Sequence, residues 1–481
     1  MRRIETIAPA AALLAALLVP ERAAAQLDSA LLSKLSFNLT NPGGKSLAMG
    51  GAFTAIADDA TAALANPAGL GQLSSVEMGI SVKRFDERIG LVTARSTATG
   101  SLTAPWGAIT PSDSQISLQS TNLEYGGIVL PISRYVVVAL SYAENLSFEG
   151  SADAGGYQYL EYRDNRSGGV TRRDYLYEYR EFGAVSLRNR LVGLSAAYRL
   201  TDRIRIGAGV TLNRTIFELE GDDAGPHRIV SRTYLSPVSQ DIRTVTMNVE
   251  GFGGTKPAFI AGLHADLDAR GTVSIGASYS SAARTNGTLV IGGDVPASLV
   301  GQERRPFSFA VPSTFAGGIA VRPFAGMTIA AEAQWVGYAG VWSDQLPVVS
   351  YSGLVGPSPG VYVDSALASV SSPSSAWVPR VGVEYIAAAG TTRVAFRLGW
   401  HREPKRGTTE QLAVNDSAGN SFPMNDPPFS GGVATVFDGG SAENRYSGGL
   451  GLTLGSALSL DAAFDVGLSA QRFSASLFWR F

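Results

Sequence analysis

Apolar and polar side chains alternate along most of the chain after residue 76. In the run 471–481, Phe473, Ala475, Leu477, Trp479 and Phe481 share one parity, and the other parity includes Arg472, Ser474, Ser476 and Arg480. A period of two predicts a β-strand. Because a charged face is costly to bury in a dry core, the pattern favours a strand that faces lipid on one side and a polar lumen on the other.

Fourteen runs of this kind follow one another, an even number, as barrels of bacterial outer membranes require. The sequence therefore predicts an all-β fold, a 14-stranded antiparallel transmembrane β-barrel. The predicted strands are 76–85, 123–132, 135–148, 190–200, 203–219, 257–267, 272–288, 313–322, 326–338, 377–387, 391–402, 445–455, 458–468 and 471–481.

The connections between these runs alternate between short and long. Such alternation is typical of an outer-membrane barrel, with short turns in the periplasm and long loops outside. A secreted β-sandwich or propeller would explain the strands but not the alternation. The short turns are Ser133-Arg134, Thr201-Asp202, 268–271 and 323–325, and the long connections include 149–189, 220–256 and 339–376.

The first residues predict export. Arg2 and Arg3 precede a mostly apolar run, 7–19, and Ala23-Ala24-Ala25 offers small residues for cleavage, so we expect a signal peptide over 1–25. The predicted organisation is then an N-terminal hatch over 26–75 and the barrel over 76–481, located in the outer membrane of a Gram-negative bacterium. Trp479 and Phe481 resemble the C-terminal aromatic signal that the barrel assembly machinery recognises.

Composition narrows the possible functions. The chain has 39 Lys and Arg against 41 Asp and Glu, so it lacks the basic excess that nucleic acid requires, and we expect no nucleic-acid partner. It contains no cysteine and therefore no disulfide or lipid anchor on cysteine.

The stretch 41–70 breaks the alternation and is rich in turn and cap residues. Asp58 or Asp59 is predicted to cap a short helix over 60–65, which Asn66-Pro67 would end. Gly50-Gly51 permits positive φ and close backbone approach. We expect these residues, with Ala68, to shape a compact plug containing short helices and to gate passage.

The run IADDATAALANPAGL, which contains Asp58, Asp59, Asn66, Pro67 and Ala68, resembles the hatch of the FadL-type long-chain fatty-acid transporters, a family that includes channels for aromatic hydrocarbons. The resemblance implies a plugged fourteen-stranded barrel. It departs at Gly221 and about Ala376, where the fatty-acid transporters carry basic residues that pair with the substrate carboxylate. The lead-in LSFNLTNPGGKSLAMGG is more similar to PorV-type relatives that serve protein secretion.

Catalytic and metal chemistry find little support. Only His227, His264 and His401 are present and no G-x-S-x-G motif occurs, so we expect no enzyme. Asp58-Asp59 lacks a third ligand at fixed spacing, and we expect neither metal nor cofactor. Charged residues on inward registers are expected to brace wall and hatch: Arg199, Arg205, Asp266, Arg322, Glu332, Arg380, Glu384, Arg397, Asp461, Asp465, Arg472 and Arg480.

These patterns and the resemblance together predict passive, hatch-gated uptake of long-chain fatty acids or hydrocarbons by a lateral route. The expected partners are outer-membrane lipid, lipopolysaccharide and a hydrophobic small molecule. The alternative is a PorV-like barrel that binds or shuttles a secreted protein. An apolar lumen beside the hatch would favour transport, and a lumen filled with charged side chains would favour the alternative.

Overall fold

The computed structural model describes residues 41–91, 114–164, 171–222, 230–231, 245–250, 253–293, 304–341, 346–349, 354–355, 362–370, 374–404, 413–415, 421–423, 442–468 and 470–481. The predicted signal peptide and His227 lie outside these ranges.

Fourteen wall strands, β1–β14, form one antiparallel sheet, and each overlaps one predicted run in the predicted order. Strands β6, β7 and β8 are each interrupted once. The strands are Glu77–Leu91, Ser114–Pro131, Val136–Asp164, Thr171–Arg199, Ile204–Asp222, Val245–Glu250 with Thr255–Asp266, Val273–Ser280 with Ala283–Gly293, Arg304–Val311 with Thr314–Val321, Met327–Val336, Ala376–Ala389, Thr392–Glu403, Glu443–Leu454, Leu458–Val466 and Ala470–Arg480.

The sheet closes on itself because β1 pairs with β14, from Glu77↔Arg480 to Glu87↔Ala470. Closure leaves no free edge, as a spanning sheet requires. None of the described helices is long and apolar enough to cross a membrane. Outside the wall, Val230–Ser231 pairs with β4, and a small second set of strands comprises Leu346–Val349, Leu354–Val355, Tyr362–Val370, Ala413–Asn415 and Ser421–Pro423.

The outer face of the wall is an apolar band between two rows of aromatic residues. Tyr279, Phe315, Trp335 and Trp377 are neighbours across β7–β10. On β10, Trp377 and Tyr385 lie eight residues apart, roughly 27 Å along the strand. This length, reduced by strand tilt, fits the apolar band and aromatic girdles of outer-membrane barrels. The predicted fold class and outer-membrane type of wall are confirmed.

The hatch fills the lumen near the rim of short turns. It contains α1 (Gly44–Ala48), α2 (Ala62–Ala65) and a 3₁₀-helix, Pro67–Gln72; a second 3₁₀-helix, Tyr338–Gly340, follows β9. The hatch packs against small or apolar inward residues of the wall, which form one core with it. The wall residues in this core are Tyr125, Val129, Val137, Ala139, Ala197, Ala320, Ala330 and Phe478.

Several predicted boundaries were wrong. β1 extends to Leu91 and β2 begins at Ser114, where the predicted runs were 76–85 and 123–132. The connection 149–189, expected to be a loop, continues the β3–β4 ladder as far as Asp164↔Thr171. The predicted helix 60–65 begins only at Ala62.

The start of β1 and the end of β14 lie at the rim of short turns, since Glu77 pairs with Arg480. If this rim faces the periplasm, a cysteine replacing Asp202 in the β4–β5 turn should not react with a membrane-impermeant maleimide on intact cells. A cysteine replacing Ala339, which is exposed beyond the far end of β9, should react. The parent has no cysteine and serves as the blank. Labelling only at 202 would invert the orientation.

Candidate functional site

The Gly50-Gly51 turn lies close against the wall. The φ angles are +66° and +81°, in the region that favours glycine. A Cβ on Gly50 would lie 2.8 Å from the backbone of Trp400 on β11. The side chain of Arg380 donates to the carbonyl of Gly51 at 3.3 Å. The predicted need for glycine at these two positions therefore has a structural basis in both backbone geometry and space.

Asn66 joins two hatch segments and the wall. Its Oδ1 accepts from the amide of Ala68 at 3.2 Å, capping the 3₁₀-helix that Pro67 begins. Its Nδ2 donates to the carbonyl of Thr54 at 2.8 Å and to that of Leu263 on β6 at 3.0 Å. Asn66 also follows the last residue of α2, so the motif ends one helix and starts the next.

The prediction that Asp58 or Asp59 caps α2 was wrong, because Thr61 occupies the cap position and no side chain makes a cap hydrogen bond there. Asp58 instead pairs with Lys45 at 2.8 Å. Burial would lower the pKa of Lys45, but the charges of Asp58 and Glu384 outweigh it and raise that pKa. Burial opposes ionisation of Asp58 as well, yet Lys45 holds its pKa below the ordinary value. The pair is therefore ionised at neutral pH.

Asp59 is buried and accepts from Thr61 twice, from its amide at 2.9 Å and its hydroxyl at 2.5 Å. Burial, with the charges of Asp58 and Glu77 nearby, raises the pKa of Asp59 to about 7. The two adjacent aspartates thus have opposite environments, one neutralised by a cation and one surrounded by other carboxylates.

Three wall glutamates accept hydrogen bonds from the hatch backbone. Glu124 of β2 accepts from Gly43 N at 3.1 Å. Glu332 of β9 accepts from Phe53 N at 3.0 Å and from Thr54 N at 2.8 Å. Glu77 of β1 accepts from Ala60 N at 2.6 Å and also pairs with Arg480 of β14. Each carboxylate lies where a hatch amide would otherwise be buried without a partner.

Wall donors satisfy hatch carbonyls in the same way. The donors are serine, tyrosine, histidine and arginine side chains of β2, β4, β6, β7, β10 and β12. The pairs are Ser195–Ala63, Ser274–Ala55, His264–Ala55, Ser447–Ala48, Tyr125–Ala60, Arg380–Gly51, Arg199–Gly71 and Arg199–Leu73. The expected bracing of hatch by wall is therefore present, and much of it reaches backbone atoms rather than side chains.

One side of the lumen beyond the hatch is charged. Arg445 is fully buried and pairs with Asp465 at 3.0 Å. Arg472 pairs with the same carboxylate at 3.1 Å and with Glu403 at 3.0 Å. Nearer the hatch, Arg397 pairs with Glu384 at 2.6 Å and with Asp461 at 2.5 Å. Opposite charges offset one another along β10–β14, which lowers the cost of burying them.

The opposite side of the lumen, called the apolar side below, carries leucine and phenylalanine among neutral polar side chains. The inward positions of β4, β5 and β8 carry buried Leu187, Leu191, Phe217, Phe307 and Phe309, with Asn189, Thr211, Asn213 and Thr215 between them. The rings of Phe217 and Phe307 meet with centroids 5.6 Å apart. The lumen thus has both of the linings that the two predicted functions require, on different sides.

The wall is interrupted between β2 and β3. The two strands pair up to Gly126↔Tyr142 and again from Leu118↔Gly150, but not over 119–125 and 143–149. β3 carries a bulge between Glu144 and Leu146 against β4. The β1–β2 ladder also shifts register where Tyr125 and Leu123 pair with consecutive residues of β1. A bulge changes the side of the sheet on which the following side chains lie. For this reason the consecutive residues Glu124 and Tyr125 are both buried on the side of the hatch.

Sequence reasoning placed Glu332 and Arg380 on inward registers but missed Glu77, Glu124 and Tyr125 as hatch partners. The signal for Glu124 is absent from the sequence pattern, because the bulge shifts its register.

Trp479 and Phe481 stack at 4.9 Å and are exposed at the rim. Their role in assembly stays a prediction. Among the described residues, no group of three or more His, Asp or Glu is arranged to hold a metal ion.

The raised pKa of Asp59 predicts how hatch stability depends on pH. Because the folded value, about 7, exceeds the ordinary 3.8, ionisation favours the unfolded hatch. Stability therefore falls as pH rises from about 4 to about 7. Amide exchange of hatch residues, corrected for intrinsic rates, should be slower at pH 6 than at pH 8.

Asp59→Asn keeps an acceptor for Thr61 but cannot ionise, so it should abolish this difference between pH 6 and pH 8. Asp268→Asn, in an exposed turn, should retain it, because hydrogen bonds within that turn hold the pKa of Asp268 below its ordinary value. An undiminished pH dependence in Asp59→Asn would contradict the assignment.

No protein-family model matches the chain, and no curated protein matches it. Solved structures do. A FadL homologue from Pseudomonas aeruginosa has a TM-score of 0.58 at 14% identity, covering 92% of this chain and 98% of that one. The toluene transporter TbuX of Ralstonia pickettii has a TM-score of 0.54 at 17% identity, covering 93% and 100%. The toluene transporter TodX of Pseudomonas putida has a TM-score of 0.52 at 12% identity, covering 92% and 98%.

At these identities the likeness concerns the fold. It extends over nearly the whole length of both chains. The chain therefore has the fold of the FadL-type outer-membrane barrels.

Proposed function

We propose that the protein is an outer-membrane channel for the passive uptake of hydrophobic molecules. The apolar side of the lumen, which leads down to the hatch from the end opposite the short turns, is the observation that carries the proposal. A hydrophobic solute gains free energy on leaving water for such a surface, so no cofactor or covalent step is needed. The structural neighbours include proteins named as toluene transporters, which supports this class of solute.

The proposed exit is lateral, through the interrupted β2–β3 ladder. A solute descending the apolar side meets a hatch bonded to much of the wall, and a straight path would break many of these bonds. The interruption already lacks backbone pairing between 119–125 and 143–149, and Asn122 Nδ2 bridges it to Glu144 O at 3.0 Å. Passage there would require fewer bonds to break.

The lumen favours a neutral solute over a fatty-acid carboxylate. A carboxylate would need a basic group with charge to spare. Among the described residues, each buried lysine or arginine lies beside a carboxylate. The pairs are Lys83–Glu124 at 3.2 Å, Arg380–Glu332 at 3.8 Å, Arg397–Glu384 at 2.6 Å, Arg445–Asp465 at 3.0 Å and Arg472–Asp465 at 3.1 Å. An alkane or arene is the better fit.

Gating is proposed to depend on the hatch residues Asp58, Asp59, Asn66, Pro67, Ala68, Gly50 and Gly51. Their bonds define one hatch shape, and Asn66 ties that shape to β6. Loosening this shape should alter flux while leaving the closed wall intact.

Uptake of labelled toluene, hexadecane and oleate is the direct test. Cells that express the protein should take up toluene or hexadecane faster than an isogenic deletion strain, with oleate least affected. If no tracer distinguishes the two strains, transport is the wrong function. Co-purification of an exported protein would then favour the secretion alternative.

Deletion of both bulged residues, Glu124 and Asn145, tests the lateral route. It restores continuous alternation on β2 and β3 and keeps the two strands in register, because seven residues face seven across the interruption, so the ladder should close. Uptake should fall towards the level of the deletion strain, while heat-modifiable migration, which reports the closed barrel, is unchanged. Glu124→Ala removes the same hydrogen bond to the hatch but leaves the ladder open, and it is the control, expected not to lower uptake. Full uptake by the double deletion would exclude this exit.

A further inference from the structure

Leu64 is distinctive among the hatch residues. From Gly43 to Leu73, only Lys45, Asp58, Leu64 and Gln72 retain partial exposure, and the others are buried. Lys45 and Asp58 pair with each other, and Gln72 donates to the carbonyl of Ile56 at 2.7 Å. Leu64 is thus the one apolar side chain of this segment that is not fully enclosed.

The surroundings of Leu64 place it beside β3, β4 and β5. A Cβ built on Gly193 of β4 would lie 3.4 Å from Leu64 Cδ2, 2.8 Å from Ser141 Oγ and 3.3 Å from Thr211 Cγ2. Glycine at 193 therefore leaves the space that the leucine side chain occupies. A larger residue there would crowd Leu64 and Ser141 together.

This position borders both parts of the proposed path. Ser141 pairs with Gly193 and with Gly127, one residue below the last β2–β3 pair, Gly126↔Tyr142, before the interruption. Towards the long loops, the inward positions of β4 that follow Gly193 are Leu191, Asn189 and Leu187, all buried. Leu64 therefore lies where the apolar side of the lumen meets the lower border of the interruption.

The local bonds allow Leu64 to move without the rest of the hatch. Within α2 the wall bond is from Ser195 Oγ to Ala63 O, at 2.8 Å, and it involves the backbone. The hatch-facing residues of β3, Val137 and Ala139, are apolar. A change of side-chain rotamer at Leu64 breaks no hydrogen bond, and rotamer changes are fast compared with uptake.

We propose that Leu64 is the gate residue of this channel, closing the junction between the apolar side of the lumen and the β2–β3 interruption. This inference rests on the proposed function and adds to it a residue that sets flux. Side-chain rotation would open the junction while the hatch backbone stays bonded to the wall. The size of residue 64 then determines how often and how widely the junction opens.

Initial rates of toluene uptake, normalised to the amount of heat-modifiable barrel, test the proposal. Leu64→Ala should raise the rate several-fold, and Leu64→Trp should lower it towards the deletion strain. Leu47→Ala is the matched control: the same side chain, in the same hatch, packs with Ala48 and Ala463 on the far side. It should leave the rate unchanged.

A hydrophilic dye excluded by the parent distinguishes gating from a loosened hatch. Leu64→Ala should still exclude it. Dye influx in Leu64→Ala, or equal gains in toluene uptake for Leu64→Ala and Leu47→Ala, would mean that the hatch has loosened generally and would overturn the proposal. Unchanged uptake in both Leu64 variants of a transporting parent would also overturn it. Absence of uptake by the parent itself would instead refute the proposed function.

Discussion

A peptide segment enclosed in a narrow barrel must have its backbone N–H and C=O groups paired, and much of this structure follows from that constraint. An unpaired buried group costs about 1–3 kcal/mol, and short helices pair only part of their own backbone. In the hatch, α1 has five residues and α2 has four, so the wall supplies many of the remaining partners. Glu77, Glu124 and Glu332 accept from hatch amides.

The same constraint explains the inward glycines of the wall. A Cβ at Gly207, Gly262, Gly276 or Gly399 would overlap hatch atoms, so the wall is smooth where the hatch backbone approaches and polar where that backbone needs a partner. Wall and hatch are therefore complementary in shape and in hydrogen bonding. A hatch held in this way is not easily displaced as a whole, and under the proposed function this favours a local opening beside β3 over displacement of the hatch.

The wall was predictable from the sequence because a period of two repeats over fourteen strands, and each repetition reinforces the others. Turns such as Thr201-Asp202 fixed where strands end. The full length of β3 and β4 was not predictable, since polar and aromatic residues beyond the membrane alternate without marking where pairing stops. The hatch was harder still. Lys45 and Asp58 are far apart in sequence, and only the tertiary fold brings them together. From the sequence alone, the position of Asp58 before a short helix therefore indicated a helix cap. Glu124 became a hatch partner through a bulge, which no periodic pattern encodes.

Charged and apolar side chains coexist in this lumen because they lie on different sides of it. The carboxylates and guanidinium groups of β10–β14 pair mostly among themselves, and the buried leucine and phenylalanine side chains of β4, β5 and β8 lie across the lumen from them. An uncharged solute entering from the long-loop end would be repelled from the charged side by the cost of desolvating paired ions, and attracted to the apolar side by the hydrophobic effect. Under the proposed function, both effects would direct the solute to the junction of Leu64 with the interrupted ladder, and the charged half of the lumen would contribute to the path without contacting the solute.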